Sequence, residues 1–187
     1  MQERFPKFRL GTELSTSFTA TLSERHGDQV ERIPTPHRLE DWLALHGLTV
    51  ASCTPGQLDL AHELRESIHA AATARATSAP LPATAVRLIN DRSAAGRAAA
   101  VLTSAGAREW RLTSTTGVED ALGVIAADAI SLIAGERAGH LALCASPTCR
   151  AAFFDTSQSH TRKWCDMNTC GNRQKKSRFN ASHRKAV

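Results

Sequence analysis

Four of the five cysteines in the 187-residue chain fall in one short segment as two pairs of identical spacing, Cys144-Ala-Ser-Pro-Thr-Cys149 and Cys165-Asp-Met-Asn-Thr-Cys170, with 15 residues between them. Two short-range thiol pairs at that separation suit a tetrahedral zinc site, because each pair bends the chain so that two sulfurs face one ion. Zinc cysteines are more often paired two residues apart, so a spacing of four is a departure, and disulfide pairing is the alternative. No continuous apolar leader follows Met1-Gln2-Glu3-Arg4-Phe5-Pro6-Lys7, and thiols in a reducing compartment do not form stable disulfides. The expectation is one structural zinc ion held by Cys144, Cys149, Cys165 and Cys170. Four thiolates close the coordination shell and leave no position for substrate or a catalytic water. Cys53 reads as a small buried or loop residue.

The second chemistry is electrostatic. The net charge is +5, yet residues 150–187 carry nine Lys/Arg against two Asp/Glu, which leaves residues 1–149 slightly acidic. Such asymmetry points to a polyanionic partner for the C-terminal end. Arg162, Lys163, Arg173, Lys175, Lys176, Arg178, Arg184 and Lys185 are the candidate DNA contacts; neutralising phosphates gives affinity that falls with salt and carries little sequence preference. Asn172, Arg173, Gln174 and Arg178 have groups able to reach base edges, although Asn172 and Arg173 also suit structural roles. Arg173 is placed to pair with Asp155, and Asn172 to bond the turn or a thiolate. Gly171 needs only the absence of a side chain beside the metal turn. Trp164 with Phe153 or Phe154 supplies a miniature core, and His160 reads as a solvated turn residue.

Enzymatic chemistry is not expected. His62-Glu63-Leu64-Arg65-Glu66 begins like a zinc-protease helix but has Glu66 where the second histidine belongs. His62, Glu66 and His69 are read as a solvated helix face. The sequence contains no phosphate-binding glycine loop and no nucleophile elbow.

The elements that must position these groups follow from caps and periodicity. Thr35-Pro36 before Leu39, Trp42 and Leu43, Thr54-Pro55-Gly56-Gln57 before Leu58, Ala61, Leu64 and Ile68, and Thr116-Gly117-Val118-Glu119 before Leu122, Ile125, Ala129 and Leu132 each predict a helix, the last two by capping boxes. Residues 98–102 and 110–113 predict strands around Gly106. Ala83–Asp91 fits either a helix or a strand, and residues 8–10 and 14–19 suggest a further strand. In the C-terminal part, residues 151–155 and 162–165 suggest a hairpin, with a helix after Cys170. The reading is α+β: a mixed helix/strand domain over residues 1–139, then a small treble-clef-like zinc module over residues 140–187. The most apolar stretch, Val118–Ala134, is interrupted by Glu119, Asp120 and Asp128 and is too short to span a membrane, so a soluble, cytoplasmic protein is expected, at the nucleoid when bound to DNA.

The segment Cys144–Lys176, with Phe153-Phe154-Asp155-Thr156-Ser157, Arg162-Lys163-Trp164-Cys165 and Cys170-Gly171-Asn172-Arg173 in order, resembles the CGNR zinc finger. Phe8-Arg9-Leu10-Gly11-Thr12-Glu13-Leu14 and the Trp42-Leu43 helix look like the start of the ABATE domain that precedes this finger. Such domains usually read Leu-Asp-Phe-Val-Asn-Thr where this chain has Ser15-Thr16-Ser17-Phe18-Thr19-Ala20-Thr21, so a ligand role attached to that asparagine is not carried over. Members are regarded as stress-induced bacterial transcription regulators. The resemblance implies DNA binding by the finger, with the N-terminal domain sensing a small molecule or forming a homodimer. A protein-interaction module and a thiol-based stress sensor that loses zinc on oxidation are the alternatives.

Overall fold

The computed structural model describes residues 5–177, and its longest element starts at the cap the sequence marks. Thr54 Oγ1 accepts from Gln57 N at 3.3 Å and Gln57 Oε1 accepts from Thr54 N at 2.9 Å, a reciprocal box that opens α3, Pro55–Ala76. Thr35 caps α2, Pro36–Leu45, through Arg38 N. α5, Val118–Ala134, does not begin with the expected box. Gly117 precedes it in the left-handed region at φ 83°, and the Glu119 carboxylate turns to α3, accepting from Gln57 Nε2 at 2.7 Å. α4, Ala83–Ala95, resolves the segment that suited either helix or strand.

Residues 14–19 are a correction. They form the short helix α1, Leu14–Thr19, rather than a strand, and residues 8–10, expected with them, lie in no regular element. The α1 hydroxyls make the helix possible in a buried setting: Thr16 and Thr19 donate to the carbonyls of Glu13 and Thr16, so these side chains meet no unpaired polar surface. Phe18 is thereby driven inward, its ring centroid 5.2 Å from that of Trp42.

α3, α4 and α5 pack against one another, with α1 on α3 and α5 and α2 on α3. Phe18, Trp42, Leu64, Leu122 and Ile125 are fully buried in this core, each contributing about 1.5–3 kcal/mol of apolar burial. Where α4 ends against α5 the backbones nearly touch: a Cβ on Gly123 would stand 2.7 Å from the Gly96 Cα.

The strands form three two-stranded antiparallel sheets. β1, Leu22–Ser23, pairs with β2, Val30–Glu31, beside a buried polar network in which Arg65 donates to Thr21 and Glu31 and Arg32 donates to Ser23 and the Lys7 carbonyl. β3, Ala99–Leu102, and β4, Arg108–Arg111, form a hairpin around Gly106 as expected, with the second strand two residues earlier than the expected 110–113. Its base is fixed by one buried carboxylate: Asp120 accepts from Arg97 N at 2.7 Å, Thr113 N at 2.5 Å and Ser114 N at 2.7 Å.

The third sheet corrects the expected 151–155/162–165 hairpin. β6, Ala152–Asp155, pairs instead with β5, His140–Leu143. The reason lies in packing: Leu141 and Phe154 of this ribbon face Ala72 and Leu132 of α3 and α5, a burial that residues 162–165 could not supply. The architecture is α+β, a helical body with small sheets and a C-terminal four-cysteine cluster. Among the described residues no helix is long and apolar enough to cross a membrane.

Candidate metal centre

The loop between β5 and β6 carries the first cysteine pair. Cys144 N donates to the Ala151 carbonyl at 2.9 Å and Cys149 N to the Ser146 carbonyl at 3.1 Å, closing the loop so that both thiols turn to one side. Cys165 follows an extended segment held against that loop by Ala145 N, which donates to the Lys163 carbonyl at 2.8 Å. Cys170 lies in a wide turn, Met167–Gly171, started by the Asp166 carboxylate, which accepts from Asn168 N at 2.7 Å. Residues 172–177 continue as helix.

The four sulfurs lie within 4.8 Å of one another, with Cys149 to Cys165 at 3.6 Å and Cys165 to Cys170 at 3.7 Å. Those separations are far longer than a disulfide bond, about 2.05 Å, and all four cysteines are free. A tetrahedron of sulfurs about 2.3 Å from a zinc ion has edges of about 3.8 Å. The donor set therefore fits one metal ion, and zinc suits it. Crowding also sets the proton affinities: hydrogen bonds from Cys149, Cys165 and Cys170 pull the Cys144 thiol well below the ordinary thiol range. Cys165 is pushed above that range by Cys144 and its other two sulfur neighbours. A divalent cation between them stabilises all four as thiolates.

The residues expected to support the site divide into those that do so as foreseen and those redirected by the fold. Trp164 packs with Phe153 and the cysteines in one small apolar cluster, whereas Phe154 belongs to the contact with α3 and α5. A Cβ on Gly171 would approach Met167 to 3.0 Å and Trp164 to 3.3 Å. Asn172 Nδ2 donates to the Asn168 carbonyl at 3.3 Å, within the turn. Asp155 is fully buried and accepts from the backbone N–H groups of Ser157 at 2.9 Å and Arg162 at 3.0 Å. His160 is exposed in its turn, 3.2 Å from His140.

Arg173 does not pair with Asp155, which is fully buried on those backbone donors. Its guanidinium reaches out of the cysteine module to Glu24, in the β1–β2 turn of the body. Thr148, inside the first cysteine pair, donates to the same carboxylate at 2.8 Å, and Arg9 approaches it at 3.4 Å. His26 N donates to the Thr148 carbonyl at 3.0 Å. Burial alone would raise the Glu24 carboxyl, but the Arg173 and Thr148 bonds outweigh it and hold the group below its usual range. Arg162 is exposed but held locally: its guanidinium donates to the carbonyls of Trp164 and Cys165 and lies 5.0 Å from the Phe153 ring centroid. Lys163, Lys175 and Lys176 are exposed, and Arg178, Arg184 and Lys185 lie outside the described residues.

The helix face of His62, Glu66 and His69 is not simply solvated. His62 Nε2 lies 3.0 Å from the Ile33 carbonyl, and Glu66 receives Arg25 and Arg65. His69 is buried deeply enough to push its pKa down to about 4. Cys53 is half-buried, and desolvation together with Glu40 and Glu119 pushes its thiol up to about 11, which makes it a poor nucleophile. Sequence reasoning missed Glu24 and Thr148; the one available cue was the position of Thr148 between two ligating cysteines.

Two family models match the chain. Residues 12–136 match ABATE, described as "Putative stress-induced transcription regulator", and residues 140–183 match the CGNR zinc finger. No curated protein matches it.

Proposed function

The chain belongs to the ABATE family and ends in a CGNR zinc finger, and from that premise we propose that it is a DNA-binding transcription regulator. In this reading residues 1–139 form the sensing or dimerising body and residues 140–187 the DNA-binding finger, with Cys144, Cys149, Cys165 and Cys170 as the ligands of one structural zinc. The observation that carries it is the four-thiol centre holding the start of a basic helix, with Lys175 and Lys176 exposed, directly after its last cysteine. Lys163, Lys175 and Lys176 then neutralise phosphates, joined by Arg178, Arg184 and Lys185. Arg162 and Arg173 act mainly by positioning the finger.

The body is assigned no catalytic step. A cleft of about 470 Å³ between residues 9–12 and the finger, lined by Leu10, Phe153 and Met167 with Arg9 and Arg162 at its edges, offers room for a small-molecule ligand. A homodimer would double the short site that one finger covers; light scattering of the protein with and without DNA that gave only monomer would remove this part. The reading places the protein in the cytoplasm, on the nucleoid when bound.

The test is selection of genomic fragments at about physiological salt, comparing the zinc-loaded protein with a Cys165→Ser, Cys170→Ser variant. Enrichment of one motif by the intact protein alone is the expected result. Equal, motif-free recovery by both would replace the regulator reading with a protein-interaction module. A redox role has one supporting observation: Cys165 is the least buried of the four cysteine residues, which leaves the centre open to an oxidant on that side. Zinc release by peroxide with restoration by a thiol reductant is the measurement for it.

A further inference from the structure

Residues 1–149 hold fourteen lysines and arginines. Five of them, Arg87, Arg92, Arg97, Arg108 and Arg111, lie on α4, on the β3–β4 hairpin or at the joint between the two. Among the described residues none of these five makes an ion pair, which is also true of Lys7, Arg32 and Arg75, whereas Arg9, Arg25, Arg38, Arg65 and Arg137 of the same body all do. The stretch carries only two acids, Asp91 and Glu109. Arg87, Arg97, Arg108 and Arg111 are exposed and Arg92 is half-buried.

The hairpin is built to stand out from the body while its base is held firmly. Asp120 at the start of α5 takes the N–H groups of Arg97 on one side and Thr113 and Ser114 on the other, and the Gly96–Gly123 contact fixes the end of α4 beside it. Beyond that anchor each strand has only one half-buried residue, Val101 and Trp110. Arg108 lies over the Trp110 ring at 4.9 Å, which restrains its guanidinium while leaving it exposed. Ala99 stands opposite Arg111, so nothing bulky crowds that side chain across the ladder.

The finger, by contrast, commits two of its arginines internally, Arg173 to Glu24 and Arg162 to backbone carbonyls. The two basic surfaces are joined by α5, with the hairpin at its first turn and β5 following its last. Its 17 residues make that connecting helix about 25 Å long, at 1.5 Å per residue.

We propose that the surface formed by α4 and the β3–β4 hairpin is a second nucleic-acid contact, which takes the phosphate backbone of the same duplex DNA that the finger binds. Arg108 and Arg111 leave β4 on opposite faces and contact phosphates on either side of the anchored ribbon, which is of a size that a DNA groove admits and sets their register. Unpaired guanidinium groups on a fixed support match phosphate oxygens bidentately. The inference rests on the DNA-binding reading above and extends its footprint beyond the finger.

The test is fluorescence anisotropy of the full-length zinc-loaded protein on a duplex of about 20 base pairs, across roughly 50 to 200 mM salt. Four proteins are compared: the parent, Arg108→Ala with Arg111→Ala, Arg108→Lys with Arg111→Lys, and Lys175→Ala with Lys176→Ala. The alanine pair on the hairpin is expected to reduce the slope of log affinity against log salt by roughly 2, with about 0.9 lost per phosphate contact. The lysine pair should retain the slope, and zinc content and Tm should match the parent. A slope unchanged by the hairpin alanines but reduced by the finger alanines overturns the second contact and leaves the finger reading intact. A parent protein that binds no duplex at the lowest salt removes the regulator reading itself.

Discussion

At the scale of single residues, two buried carboxylates carry more of the structure than their surroundings in the sequence suggest. Glu24 joins the finger to the body by accepting from Thr148 and pairing with Arg173. Because its pKa in the folded protein is lowered, its contribution is complete above the unfolded value, about 4.3, and is lost as pH falls through the folded value. Glu24→Gln is expected to cost about 1 kcal/mol in urea unfolding, since Arg173 is partly exposed, and to flatten the acid limb of the stability curve. It is also expected to weaken DNA binding despite removing a negative charge. Tighter binding would instead show that Glu24 withholds Arg173 from phosphate. Asp120 holds three backbone N–H groups, so Asp120→Ala should cost roughly 3 kcal/mol. Hydrogen exchange should then lose protection at the amides of Arg97, Thr113 and Ser114; protection that survived would mean the hairpin base is held by something else.

At the scale of elements, the close crossing of α4 and α5 depends on two missing side chains. Gly123→Ala puts a Cβ 2.7 Å from the Gly96 Cα, where only backbone movement relieves the clash. A loss of about 1–3 kcal/mol is expected from such overpacking, read as a lower urea midpoint with an unchanged m-value. Gly56→Ala is the contrasting change. That position lies in the first turn of α3 with nothing within 4 Å of the added Cβ, so a gain of about 0.4–1 kcal/mol is expected from the reduced freedom of the unfolded chain. The same logic explains why β6 pairs with β5. A ribbon that places Leu141 and Phe154 on α3 and α5 buries apolar surface on both elements, and a ribbon made with residues 162–165 would leave those side chains in water.

At the scale of the molecule, the finger is fastened to the body in two ways, by the apolar contact of Leu141 and Phe154 and by the polar contact at Glu24. Zinc that organises the cysteine loop therefore supports both. The loaded protein is expected to unfold in one transition, and a strong chelator should lower the Tm of the whole chain while changing Trp164 fluorescence, since Trp164 packs in the cysteine cluster. A body whose Tm ignored the chelator would show that the two parts fold independently. Binding displaces thiol protons, so zinc affinity should rise with pH, with more protons released at lower pH; a calorimetric titration in two buffers reads that number directly.

The sequence by itself determined what depends on near neighbours. The cysteine spacing brought a metal-binding set into view, the Thr54 and Thr35 caps marked two helix starts, Gly106 marked a hairpin, and the charge count separated a basic end from a near-neutral body. The caps, the turn and each cysteine pair are settled within a few residues, where chain geometry leaves few choices, and a charge count needs no geometry. Tertiary structure alone decided which distant groups meet. Arg173 found Glu24, 149 positions away, while Asp155 took backbone donors in the interior. Leu14–Thr19 became a helix because its hydroxyls satisfy themselves locally while Phe18 is buried. His69, expected on a solvated face, is half-buried with its Nε2 enclosed by the packing around it. Partner choice over such separations is a competition for burial and for hydrogen-bond capacity across the whole fold, and no local spacing records its outcome.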